Sequence, residues 1–203
     1  MIVLTIDQRG SRRGLDLIPA LLAASADHAP PLRPFERTAG DEAQAVYDDA
    51  EAALDVAIGA AVSGSWTVGM GVGSVRLPLP RETRAGAGLA FEAARLAVER
   101  AKRTAAHLGL DAPGHPVEAA RLEAELALLV LTLRRRSPQQ QEASRLRDGG
   151  ATQAQIAEAL GITQQAASAR LNGALYDECQ ALRSAIVLAL QEPNLQEGVA
   201  VSG

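Results

Sequence analysis

Acidic side chains at two places in this sequence have the type and position needed to bind a metal ion. Asp7 follows residues 2–6, an alternating β-branched stretch typical of a buried strand, and an acid at a strand end is well placed to face a ligand. Asp41 lies in the turn Gly40-Asp41-Glu42, which we expect to close a hairpin. If the hairpin lies beside the first strand, Asp7 and Asp41 converge to bind Mg²⁺ or Mn²⁺ through carboxylate oxygens. In the alternative, the acids of the turn are only solvated.

A cationic loop with two glycines follows Asp7. Its first residues are Arg9, Gly10 and Ser11, and two further arginines come directly after them. Backbone amides beside arginine side chains can hold a phosphate group, which makes these residues candidates for nucleotide binding. A basic turn that merely leads into the next helix explains the same residues equally well.

Residues 151–171 have the pattern of a helix-turn-helix, in which two helices pack closely across a sharp turn. Gly161 can take the positive φ of such a turn at little steric cost, and the small Ala157 allows the helices to approach each other. The apolar positions on either side of the turn fall at helical spacing and are Ile156, Ala157, Leu160, Ile162, Ala167 and Leu171. The alternative is an ordinary helical hairpin joined by a glycine.

The second helix of this motif carries side chains suited to DNA. Thr163 is its expected N-cap, and short or amide side chains that match base edges occupy its outward positions. We expect Arg170 to lie nearer a phosphate. The predicted DNA-binding residues are therefore Thr163, Gln164, Gln165, Ser168, Arg170 and Asn172.

Composition limits the classes of function open to this chain. The 203 residues have a net charge of −4, which argues against a protein that coats nucleic acid nonspecifically. Residues 134–183 nevertheless contain seven arginines against five acids, a modest local excess that leads us to expect a dimer. No stretch approaches the ~18 apolar residues of a membrane span or resembles a signal segment, and Cys179 has no partner for a disulfide. We therefore expect a cytoplasmic protein.

The elements that must position these residues alternate in type in the first half of the chain. We predict strands at residues 2–6, 35–38, 43–47 and 66–75, and helices at 15–24, 51–62 and 89–103. This order belongs to an α+β sandwich with helices on one face. Residues 107–116 are rich in glycine and proline and form a predicted linker. Helices at 117–136, 138–148 and 175–190 then enclose the helix-turn-helix, and residues 192–203 are a predicted flexible tail.

The segment of residues 1–106 resembles the palm-type catalytic domain of class III nucleotidyl cyclases and GGDEF diguanylate cyclases, a ferredoxin-like α+β sandwich. The resemblance is carried by Asp7, by Gly40-Asp41-Glu42, by the strand VGMGVGSV and by the helix FEAARLAVERAK, which ends at Lys102. It implies that Asp7 and Asp41 hold Mg²⁺ with a nucleoside triphosphate. The residues it assigns to the nucleotide are Arg9, Gly10, Ser11, Gly40, Glu42 and Arg95.

Departures from the cyclase pattern concern catalysis. The signature lacks its first glycine and its phenylalanine, since Ala39 and Ala43 stand there, and Phe91 occupies the position of the asparagine that contacts the ribose in those enzymes. The sequence therefore favours metal and triphosphate binding over turnover, and we assign no catalytic residue.

The helix-turn-helix resembles those of MarR-like and sigma-region-4-like regulators over about twenty positions, with Ala167 in place of a larger residue. Together the two halves resemble SatD-like proteins. The resulting prediction is a homodimeric transcriptional regulator, with a helical unit at residues 117–191 that binds an inverted repeat in double-stranded DNA. Its dimer interface would come from residues 175–190 and 117–133, and its palm-like half would sense a nucleotide or serve in assembly. The alternatives are an active cyclase targeted by its helix-turn-helix and an interaction protein in which both modules are degenerate.

Overall fold

The computed structural model describes residues 1–10, 15–24 and 29–196. Its one sheet has five strands in the order β2-β3-β1-β4-β5. Neighbouring strands are antiparallel except β4 and β5, which are parallel. The strands are β1 Ile2–Gln8, β2 Arg33–Ala39, β3 Glu42–Tyr47, β4 Trp66–Val72 and β5 Leu108–Asp111.

The helices of the described residues include seven of at least eight residues. Every regular element from Pro116 to Gln196 is helical, so the protein is an α+β protein whose sheet is formed by strands between residues 2 and 111. A short 3₁₀ helix spans Thr83–Ala85. The α-helices are α1 Ile18–Ala24, α2 Ala50–Ser63, α3 Leu89–Ala101, α4 Pro116–Arg134, α5 Pro138–Asp148, α6 Gln153–Leu160, α7 Gln164–Gly173, α8 Tyr176–Gln191 and α9 Pro193–Gln196.

Helices cover both faces of the sheet, so the prediction of helices on one face was wrong. On β1, Ile2, Leu4 and Ile6 face a core shared with α1 and α2, whereas Val3 packs against α3. Both faces of this central strand carry apolar side chains, and each must therefore be removed from water. The apolar residues of β1 were enough to predict a buried strand, but they did not indicate that helices cover both of its faces.

Glycines let α3 lie directly on β4 and β5. A Cβ atom on Gly69 would lie 2.2 Å from the carbonyl oxygen of Ala94, and one on Gly71 would lie 2.0 Å from that of Ala90. Gly109 of β5 meets the helix in the same way. The side-chain-free face predicted from the glycines of β4 is therefore occupied by the α3 backbone.

The linker predicted at residues 107–116 was wrong in its first half, because Leu108–Asp111 form β5. Leu108 and Leu110 are buried, and the strand pairs with β4 from Val68 to Gly71. Its four residues carry too little local signal to distinguish a strand from a turn, and the pairing with β4 supplies the missing hydrogen bonds.

Two other boundaries differ from the sequence prediction. Residues 15–17 are not helical, because the Gln8 side chain donates to the Leu15 carbonyl at 2.7 Å and accepts from the Leu17 amide at 2.9 Å. The predicted flexible tail begins with α9, whose Leu195 is buried, while residues 197–203 lie outside the described residues.

Helices α4 and α8 join the helical half to the sheet. Leu126 and Leu129 of α4 and Ile186 and Leu190 of α8 belong to the same apolar core as α2 and the sheet. A smaller second core, described below, lies among α5, α6 and α7. Within the described residues, no helix is both long enough and apolar enough to cross a membrane.

Candidate nucleic-acid interface and acidic edge of the sheet

Two helices joined by a sharp turn stand where the helix-turn-helix is predicted: α6, a turn at Gly161 and α7. Gly161 has φ 62° and ψ 36°, the left-handed conformation that glycine takes at little steric cost. Each helix starts at a threonine cap: Thr152 Oγ1 accepts from the Gln155 amide, and Thr163 Oγ1 accepts from the Ala166 amide at 3.1 Å. The caps and the glycine together fix where α7 begins.

Small apolar residues hold α6 against α7. Ala167 is fully buried, Ala157 is nearly so, and Ile156 and Leu171 complete the contact. Ala143 of α5 and Tyr176 of α8 belong to the same cluster. The packing faces predicted from the sequence are confirmed, and α7 is supported by α5, α6 and the start of α8.

The outward face of α7 is polar and unused within the protein. Thr163, Gln164, Gln165 and Asn172 are exposed, and Ser168 and Arg170 are half-buried. Among the described residues, no partner accepts from or donates to the side chains of Gln164, Gln165, Ser168 or Asn172. Other glutamines of this unit are engaged, since Gln140 and Gln155 complete capping boxes. These α7 side chains therefore keep their hydrogen-bonding capacity for a partner.

Arginines around α7 divide into engaged and unengaged groups. Arg134 donates to the carbonyls of Ala61, Ala105 and Ala106, which fastens α4 to the end of α2. Arg145 and Arg170 have no ion pair or side-chain hydrogen bond within the described part of the chain. Their charges are therefore available to an external anion.

We call the acidic edge the end of the sheet at which the central strand β1 stops, together with the adjoining β2-β3 hairpin. Asp7 stands opposite Glu42 on β3 and opposite Thr67 on β4, so all three lie on the face that carries α3. Lys102, which directly follows α3, places Nζ 3.0 Å from Asp7 Oδ2 and 2.7 Å from Glu99 Oε1. The lysine thus crosses from the helix to the strand and balances the charge of Asp7.

The ion pair also determines the protonation of the lysine. Burial lowers the pKa of Lys102, but the hydrogen bonds to Glu99 and Asp7 outweigh that effect and raise the pKa above its usual value. Lys102 is therefore an ammonium ion at neutral pH.

Asp41 lies beside β1, as the hairpin prediction requires, but one step away from Asp7. Its carbonyl oxygen accepts from the Gln8 amide at 3.0 Å, whereas Glu42 is the residue opposite Asp7. Among the described residues, no group of three or more His, Cys, Asp or Glu side chains is placed to hold a metal ion. The oxygen donors are of the kind that Mg²⁺ prefers, and the assignment of Asp7 and Asp41 as ligands stays a prediction.

A buried polar pair next to Asp7 escaped sequence reasoning. Gln44 Nε2 donates to Thr5 Oγ1 at 2.9 Å, both residues are fully buried, and Gln44 Oε1 has no partner within the described residues. Buried polar groups are normally hydrogen-bonded, so an unsatisfied amide oxygen is unusual. Strand periodicity could have identified this pair. Thr5 and Gln44 stand two residues from Asp7 and Glu42 in their strands and therefore lie on the same face of the sheet.

The other predicted nucleotide contacts are spread around this edge. Arg9 Nη1 donates to the Gly64 carbonyl at 2.7 Å, which directs it toward the end of α2. Gly10 and Gly40 are exposed turn residues, and Ser11 lies outside the described residues. Arg95 is exposed on α3, seven residues before Lys102 and so on the same side of the helix. In the sequence, Lys102 is only the last residue of the helix motif FEAARLAVERAK. Its contact with Asp7 was not predicted.

Comparison with protein-family models, with curated proteins and with solved structures gives no significant match for this chain.

Proposed function

We propose that this protein is a dimeric transcriptional regulator that reads the major groove of DNA with α7. The observation that carries the proposal is the unengaged polar face of α7 on a fully packed helix-turn-helix. A buried face of α7, or one whose amide side chains formed hydrogen bonds within the protein, would be incompatible with the proposal. The sheet half is a degenerate cyclase-like, palm-type domain that senses a nucleotide or serves in assembly.

Of the residues proposed to contact bases, Gln164, Gln165 and Ser168 lie in the N-terminal half of α7, and Asn172 lies near its C-terminal end. Recognition helices of this class contact base edges mainly with residues of their N-terminal half. A glutamine amide can donate to and accept from adenine in the major groove at the same time, which gives one-base specificity. Arg170, with Arg145 from α5, supplies positive charge for the phosphates on either side.

The modest charge of the helical unit supports a dimer. Seven arginines against five acids in residues 134–183 give a small electrostatic contribution to affinity, which two copies double. Leu128 of α4 and Leu188 of α8 are 62% and 66% exposed, and these two helices pack against each other. A two-fold axis through this surface would present two α7 helices to an inverted repeat, with half-sites about 34 Å apart.

Selection of bound sequences from a random DNA pool tests this function directly. We expect enrichment of an inverted repeat, and the double variant Gln164→Ala/Gln165→Ala should lose that preference. Each bidentate amide contact contributes about 1 to 3 kcal/mol of discrimination, so affinity for the selected site should fall at least roughly tenfold.

The matched control is Gln191→Ala. Gln191 is an exposed glutamine at the far end of α8, about 24 Å along that helix from the residues that follow α7. The control should retain both affinity and preference. If the double variant binds as the parent does, α7 is not the reading helix.

A second candidate function is binding of a nucleoside triphosphate with Mg²⁺ at the acidic edge. It is favoured by the combination of Asp7, the protonated Lys102 and the unsatisfied Gln44. In this proposal Asp7 and Asp41 would hold the metal, and Lys102 would turn to a phosphate. Cyclase turnover is the weaker alternative, because Phe91 is buried against Val3 and Val46 and offers no polar group to a ribose.

A further inference from the structure

A cavity lies where the sheet half meets the helical half. Its volume is about 450 Å³, and it is bounded by α2, α4, the end of α5 and α8. Ile58, Leu129 and Leu133 form its apolar wall, and Arg136, Cys179 and Gln180 are among its polar residues. Sites for small ligands combine an apolar wall with a few polar groups in this way.

Two of the four charged side chains that line the cavity pair with each other. Arg183 donates to Asp55 Oδ1 from Nε at 2.9 Å and from Nη2 at 2.6 Å. On the other side, Asp148 Oδ1 accepts from Tyr176 Oη at 2.7 Å and from Gln180 Nε2 at 3.0 Å. Arg183 and Asp55 thus neutralise each other, whereas both donors to Asp148 are neutral groups, so its carboxylate keeps its negative charge at the cavity.

Arg136 is different. Its Nε donates to the Ala174 carbonyl at 2.9 Å, whereas Nη1 and Nη2 have no partner within the described residues. A guanidinium with its two terminal nitrogens available presents parallel N–H groups that match a carboxylate. The cavity therefore offers one guanidinium without an ion pair, together with an apolar wall and the Asp148 carboxylate.

We propose that this cavity binds a small carboxylic acid with an apolar body. The carboxylate accepts hydrogen bonds from Arg136 Nη1 and Nη2, and the body packs against Ile58, Leu129 and Leu133. Neither an amine nor a neutral alcohol of the same length would satisfy Arg136.

Arg136 also connects the cavity to the recognition helix. Ala174, whose carbonyl it binds, is the C-cap of α7. A ligand on Arg136 therefore acts on the end of α7, the proposed reading helix. This regulatory step, unlike binding itself, rests on the proposed function in DNA recognition.

The chain contains its own reporter for the test. Cys179 is its single cysteine, lines the cavity and is 8% exposed. We would measure the rate of Cys179 modification by a thiol reagent during titration with hexanoate, hexanol and hexylamine. Hexanoate should protect the thiol saturably, by roughly tenfold at about ten times its Kd, and the other two compounds should not. Absence of protection by hexanoate, or equal protection by all three compounds, would overturn the proposal.

Variants at two neighbouring arginines add a matched comparison. Arg136→Gln should lose the protection by hexanoate, whereas Arg135→Gln, at an exposed position next to it, should keep it. The ligand comparison on the parent chain stands even if Arg136→Gln fails to fold. The protection assay contains no DNA, so its outcome is independent of the proposed regulator function. In a separate binding assay, saturating hexanoate should change affinity for the selected DNA, and an unchanged affinity would remove the regulatory step alone.

Discussion

Substitution of Gly71 by alanine tests the contact on which the sheet half depends. The new Cβ would lie 2.0 Å from the Ala90 carbonyl oxygen and 2.4 Å from the Ala94 amide nitrogen, whereas real Cβ atoms essentially never approach closer than 3.0 Å. Both neighbours are backbone atoms of α3, so no side chain can turn away. The helix has to move outward by roughly 1 Å, and a gap of that size forfeits about a quarter to a half of the dispersion energy at each contact.

The expected cost follows from that movement. Overpacking a core costs about 1 to 3 kcal/mol. Because a whole helix is displaced, we expect this variant to lose about 3 kcal/mol of its free energy of unfolding. With an unfolding slope of about 2 kcal/mol per molar urea, the midpoint should fall by about 1.5 M. Trp66 is the single tryptophan and is buried in β4, so its fluorescence reports on this strand, and far-UV circular dichroism reports on the helices.

Gly59→Ala is the matched control. Gly59 lies inside α2, and a Cβ there meets nothing within 4 Å. Because alanine favours a helix over glycine, this variant should gain about 0.5 to 1 kcal/mol, opposite in sign to Gly71→Ala. An unchanged midpoint for Gly71→Ala beside a raised one for Gly59→Ala would refute the placement of α3 on β4.

Three further predictions concern the acidic edge, the interface and a buried phenol. A nucleoside triphosphate with Mg²⁺ should raise the melting temperature, Asp7→Ala and Asp41→Ala should each abolish that shift, and a shift that survives both would exclude the pair as ligands. Leu128→Ser with Leu188→Ser should give a monomer in sedimentation and weaken binding to the inverted repeat, whereas an unaltered dimer would place the interface elsewhere. Burial raises the pKa of Tyr47 from 10.0 to about 12, so the unfolded state ionises first and stability should fall as pH rises through that interval. Because the Tyr47 hydroxyl is buried without a partner in the described residues, Tyr47→Phe should gain about 1 kcal/mol at neutral pH and lose less stability in alkali, as measured by urea unfolding.

The candidate reading surface could be predicted from sequence because its signals are local. Thr163 caps a helix whose first amides lie within three residues of it, and Gly161 makes a turn between helices that are adjacent in the chain. The bounds predicted for α5 agree with the structure, in which Ser137 and Gln140 form a capping box at its start. Spacing of three and four residues also reports which face is buried, as Ala167 and Leu171 show.

The acidic edge could be predicted only in part. The hairpin beside β1 was expected, but strand register decides which acid faces Asp7, and register depends on pairing between segments distant in sequence. In the observed register of β1 and β3, Glu42 stands opposite Asp7, and Asp41 lies one position further along, beside Gln8. The unsatisfied Gln44 is likewise a property of the assembled sheet, since its amide reaches Thr5 of a different strand while its oxygen is buried without a partner in the described residues.

The sequence alone therefore determined the α+β class, the two packed helices α6 and α7 and the positions of the exposed amides of α7, because caps, turns and helical spacing act over a few residues. Tertiary structure alone decided that Leu108–Asp111 join the sheet, that α3 fills the glycine face of β4 and that Lys102 pairs with Asp7. It also decided that α2, α4 and α8 enclose a cavity beside Arg136. Each of these contacts joins segments far apart in the chain, and no local preference encodes which distant surface will remove a segment from water.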